Sequence, residues 1–162
     1  MPYKKLILST ILTITLLGCG STPAPGPRFT LGKMESDTLF NNHQQFLNNY
    51  QSAQITEAER ALVESWPSDI EFNVYFGTWC HDSEREVPKL LKLLSYNKTL
   101  TISLIGLDYK KTEPNGGAKA NGVQFTPTII VTRAGKELGR IVEQPAVSLV
   151  SDIHQIIKKH SV

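Results

Sequence analysis

Cys80 stands in the run Gly77-Thr78-Trp79-Cys80-His81-Asp82-Ser83, and Thr126 and Pro127 stand in a second run, Gly122-Val123-Gln124-Phe125-Thr126-Pro127-Thr128. A cysteine thiolate is a nucleophile and a metal ligand, and its characteristic reaction is attack on a disulfide sulfur through a mixed disulfide. The neighbours of Cys80 bear on that chemistry in opposite senses. Ser83 lies one helical turn further on and is placed to donate its hydroxyl to the sulfur. A protonated His81 favours the thiolate, whereas Asp82, Glu84 and Glu86 oppose ionisation. Cys80, His81 and Asp82 are a conceivable metal set, but adjacent side chains splay apart at a helix start, so neither a metal nor another cofactor is expected. The alternative is that Cys80 is an inert, buried packing residue.

These residues need a strand to end and a helix to begin around them. Ile70 to Phe76 mixes β-branched and aromatic residues, alternating with polar ones in its first half, and reads as a strand. From about Cys80 to Tyr96, Val87, Leu90, Leu91, Leu93 and Leu94 form the apolar side of a helix. Cys80 is thereby set at a helix N-terminus, among unpaired backbone N–H groups and about half a positive charge from the macrodipole, both of which favour thiolate. Leu100 to Leu107 reads as a second, buried strand. Tyr109 to Gly117 is a polar loop that either shapes partner choice or is simply solvated, and a short helix over about Ala118 to Asn121 follows. Thr128 to Thr132 and Glu137 to Val142 form a hairpin about Ala134-Gly135, and Ala146 to His160 closes the chain as a helix. Upstream, residues 38–51 have helical spacing, and Thr56 with Glu59 forms a capping box for a helix that stops before Pro67. His43, His154 and His160 are scattered and read as surface residues. The order implies an α/β fold with a mixed sheet covered by helices on both faces.

The N-terminus reads separately. Lys4 and Lys5 precede an apolar stretch, Leu6 to Leu17, of twelve residues. Such a helix spans roughly 18 Å, short of the about 30 Å of a hydrocarbon core, and has the size of a signal-peptide core. Leu16-Leu17-Gly18-Cys19 resembles the lipobox of bacterial lipoproteins, which implies cleavage before Cys19 and acylation of Cys19 itself. Several acyl chains, at about 0.8 kcal/mol per buried CH₂, anchor a protein far better than one. Gly20 follows, with no aspartate to signal inner-membrane retention, so in a Gram-negative cell the expected location is the outer membrane facing the periplasm. Ser21 to Pro27 is a proline-rich spacer. The expected organisation is a signal peptide over 1–18, a lipidated Cys19 and tether over 19–36, and one domain over 37–162 with its core at about 70–160. Removing residues 1–18 leaves 15 basic against 15 acidic residues, so no nucleic-acid footprint is expected. Of two cysteines, a lipidated Cys19 leaves Cys80 alone and forbids an internal disulfide.

The strand, the Trp79-Cys80 pair at a helix start, and Pro88 inside that helix resemble the active site of the thioredoxin family. The segment around Thr126-Pro127-Thr128 resembles that family's cis-proline loop. The likeness spans about Glu71 to Lys159 and implies a thioredoxin-like fold, a mixed central sheet of about four strands flanked by helices with an N-terminal helical extension. It further implies a nucleophilic Cys80, a cis Pro127, and a backbone at Thr126 that pairs with substrate beside the sulfur. Trp79, His81 and Asp82 complete the implied substrate-contacting set. Two departures matter. Ser83 occupies the place of the second cysteine, and Val74 that of a buried acid that assists proton transfer. Cys80 can therefore begin a disulfide exchange but needs a foreign thiol to end it: glutathione or a similar small thiol, another exported protein, or the substrate's own second cysteine. Two other readings stay open. The fold can serve as a non-catalytic peptide-binding module, or Cys80 can pair with its counterpart in a disulfide-linked homodimer.

Overall fold

The computed structural model describes residues 29–160. The expected signal peptide over 1–18 and Cys19, the expected site of lipid attachment, fall outside the described residues. The element order is β1 (Gly32–Met34), α1 (Ser36–Asn42), α2 (Gln44–Ser52), α3 (Glu57–Glu64), β2 (Ile70–Phe76), α4 (His81–Leu94), β3 (Thr101–Gly106), α5 (Gly117–Ala120), β4 (Thr128–Arg133), β5 (Lys136–Val142) and α6 (Leu149–Lys159). The strands form one five-stranded sheet in the order β1-β3-β2-β4-β5. β2 and β3 run parallel, and the other three pairings are antiparallel.

Two expectations shift. The sheet has five strands where about four were expected, because Gly32–Met34 pairs antiparallel with β3 at its edge, Lys33 opposite Ile105. The folded domain consequently reaches back into the 19–36 stretch read as tether. The single helix expected over 38–51 is two, broken at His43, whose φ of −135° and ψ of 86° interrupt the helical path.

The sheet separates two unequal cores. Ile70, Phe72, Val74 and Phe76 of β2, with Leu104, Ile129, Val131 and Ile141, pack with side chains from α1, α2, α3, α4 and α6. On the other face Tyr75, Leu107 and Ile130 meet Ala118 of α5 and Val123. The helical cover expected on both faces is thus concentrated on one. Glu113, buried in the loop after β3, fastens α5 by accepting from the backbone N–H groups of Ala118 at 3.1 Å and Asn115 at 2.5 Å.

Local chemistry accounts for the elements around the site. The Thr56–Glu59 capping box is formed. Ala134 and Gly135, with φ of 49° and 74°, make the tight turn between β4 and β5. Pro88 lies inside α4, where a proline has no N–H to offer the carbonyl four residues back. That carbonyl, of Glu84, accepts instead from Asn49 Nδ2 of α2 at 2.7 Å. The defect that proline introduces becomes a tie between helices.

Candidate active site

β2 ends at Phe76, and a tight turn carries the chain to Cys80, whose N–H donates to the Gly77 carbonyl at 3.0 Å. Cys80 is the N-cap residue of α4, with extended backbone, and its carbonyl accepts from the Glu84 N–H at 3.0 Å. The thiol is half-buried, and its sulfur lies 3.1 Å from the Thr126 carbonyl oxygen, to which it donates. Thr126 is buried, and the Thr126–Pro127 peptide bond is cis. Two segments far apart in sequence therefore meet at one sulfur, and the second presents backbone to it.

Ser83 is fully buried and does something other than expected. Its hydroxyl accepts from the Gly77 N–H at 3.2 Å, while the sulfur's hydrogen bond goes to Thr126. The serine steadies the turn that presents Cys80. Directly before Trp79, the Thr78 hydroxyl is buried and meets no hydrogen-bond partner among the described residues.

Trp79 folds back over the turn. Its indole N–H donates to the Leu107 carbonyl at 3.0 Å, just past β3. The ring lies so close over Gly77 that a Cβ there would come within 2.6 Å of it, which explains glycine at that position. Tyr109 packs against the indole at 4.7 Å between centroids, and the Lys111 ammonium sits 5.0 Å from the ring centre. The loop after β3, left undecided by the sequence, thus builds one wall of the site. Phe125, immediately before Thr126, presents an exposed ring, as does Tyr109. Sequence reasoning passed over Gly77 and Phe125, although the glycine directly after an apolar strand was a readable signal.

His81 and Asp82 stand outside this cluster. The His81 side chain is 90% exposed, with Nδ1 3.7 Å from Glu84. Asp82 pairs with Arg85 at 2.7 Å, and Arg85 also holds Glu86 at 2.6 Å. Two of the three acids that sequence set against the thiolate are therefore matched by one guanidinium. Among the described residues no group of three His, Cys, Asp or Glu side chains is arranged to hold a metal ion. Two of the histidines read as surface residues have partners: His43 Nε2 lies 2.9 Å from Thr30 Oγ1, and the Trp66 indole N–H donates to His154 Nδ1 at 3.4 Å.

A thiol at a helix start thus lies against a cis-proline loop on an α/β sheet of thioredoxin-like fold. A thioredoxin family model matches residues 32–152, and the chain belongs to that family, whose fold suggests redox-type chemistry. No curated protein matches it significantly. Among solved structures it is similar to a protein of unknown function from Pseudomonas aeruginosa, with 15% identity, a TM-score of 0.59, and coverage of 73% of this chain and 84% of that one. It is also similar to an HIV epitope scaffold, at 16% identity and a TM-score of 0.58, covering 73% and 85% of the two chains. Thioredoxin f2 of Chlamydomonas reinhardtii aligns at 12% identity with a TM-score of 0.45, covering 62% and 87%. Identities this low concern the fold alone.

Proposed function

We propose that this protein is a lipid-anchored monothiol exchanger of the bacterial cell envelope, held through Cys19 and acting through Cys80 on disulfides of exported proteins or small thiols. The observation that carries the reading is Cys80, the N-cap residue of α4, whose sulfur lies 3.1 Å from the carbonyl oxygen of Thr126, with serine at position 83.

The thiolate of Cys80 attacks one sulfur of a disulfide R–S–S–R′. A bond forms between Cys80 and R as the R–R′ sulfur bond breaks, and R′ leaves as a thiolate that takes a proton from water. One disulfide is consumed and one is made. Release needs a second thiolate, because the Ser83 oxygen cannot form a sulfur–sulfur bond. A small thiol, another protein or the substrate's own second cysteine attacks R, forms the new disulfide and returns Cys80 as thiolate. Trp79, Tyr109 and Phe125 offer apolar surface beside the sulfur, and the Thr126 backbone lies where an extended substrate would pair.

Acid quenching of intact cells followed by alkylation tests this. The expected result is a mixed-disulfide adduct on wild-type Cys80, by mass spectrometry, that a Cys80→Ala variant lacks. A fully free Cys80 with no adduct under oxidising growth would sink the proposal.

A further inference from the structure

The first described residues join the domain at the end of the sheet that carries Cys80. The Phe29 ring meets Tyr109 edge-on at 5.4 Å, and Tyr109 in turn packs on Trp79, the residue before Cys80. A separate set of contacts fixes the next residue. Thr30 Oγ1 lies 2.9 Å from His43 Nε2, and the Thr30 carbonyl fills the space that a Cβ on Gly106 would need. Gly106 is the last residue of β3 and pairs with Phe76, the last of β2. The opposite pole is closed by the Asp69–Arg133 ion pair and the Ala134-Gly135 turn.

Ten residue steps lead from Cys19 to Phe29, and a proline-rich stretch of that length reaches about 30 Å. β2 alone, with seven residues, separates the two poles by about 20 Å. Resting on the lipid-anchored monothiol reading above, we infer that Cys80 faces the bilayer and that its exchange partner is a cysteine of a membrane-anchored or membrane-spanning protein, presented within about 30 Å of the lipid surface. Partners deep in the aqueous compartment meet the far pole of the domain first.

The test uses full-length lipidated protein in phosphatidylethanolamine–phosphatidylglycerol vesicles containing headgroup-nitroxide lipid. A fluorophore is placed on Cys80 or, in a Cys80→Ser/Lys136→Cys variant, at the far pole. Quenching at position 80 is expected to exceed that at 136 by about twofold or more, given a strand length between them. Equal or reversed quenching, or protein that does not partition into the vesicles, overturns the inference. In cells, lengthening the tether by about thirty proline-rich residues, some 90 Å, should lower the yield of Cys80 adducts with membrane proteins severalfold; an unchanged yield also overturns it. Failure of the monothiol reading has a different signature: the quenching ratio stands, and the Cys80 adduct is missing.

Discussion

Ser83 holds the site by its oxygen and limits it by not being sulfur. Its hydroxyl accepts from Gly77 N–H in a fully buried position, so it belongs to the scaffold of the turn. A Ser83→Cys variant exchanges a good acceptor for a weak one, at a cost of about 1 kcal/mol, and supplies a thiol one turn from Cys80. The expected outcome is a chain that closes an internal disulfide on oxidation. Alkylation would count both thiols after reduction and neither after oxidation, and Cys80 adducts with partners would become short-lived. Persistence of wild-type adducts in this variant would show that position 83 does not reach the sulfur. The placement of Cys80 at a helix start was legible from the apolar strand before it and the apolar side of the helix after it, and the cis bond at Pro127 from the resemblance of its loop to that of the thioredoxin family. The bonding of Ser83 was not, since its choice between Cys80 and Gly77 is decided by the path of the turn.

Among the elements, the α1–α2 break at His43 ties the chain entry to the helices. His43 meets Thr30 through one ring nitrogen, and burial holds its pKa below the usual 6.5 against a raising influence from Glu84. The sign follows from linkage. Above 6.5 the ring is neutral folded and unfolded; as pH falls through 6.5 the unfolded chain takes up the proton first, and stability is lost until the folded-state pKa is passed. Urea midpoints of wild type are therefore expected to drop between neutral pH and about pH 5, and those of His43→Gln to drop less; parallel slopes would remove His43 from the account. Sequence gave no warning of the break, because no glycine or proline marks it and Phe40, Phe46 and Tyr50 keep helical spacing across it. Phe40 instead packs on Tyr50 at 4.9 Å from the other side of the break, and Phe46 on Phe76 at 5.9 Å. Tertiary packing overrides local pattern there, whereas the capped helix at Thr56 and the β4–β5 hairpin carry their own signals and form as read.

For the molecule as a whole, the boundary of the domain is the consequential difference. Three residues beside a proline-rich stretch are too few to show alternation, so β1 was invisible until β3 was there to pair with it. A chain starting at residue 37 loses that pairing and the burial of Met34, which is 8% exposed; burying such a side chain contributes about 1.5–3 kcal/mol. A chain starting at residue 29 is expected to unfold in urea like the intact domain, and the shorter one at a clearly lower midpoint. Matching midpoints would make β1 dispensable. The two flanks of the sheet have a consequence for crowding. One edge offers a partner only the three residues of β1, and the other, β5, carries Lys136, Glu137 and Arg140, the last two paired with each other. Neither flank is a good template for a strand from another copy. Dense arrays of this domain are thereby protected from edge-to-edge aggregation.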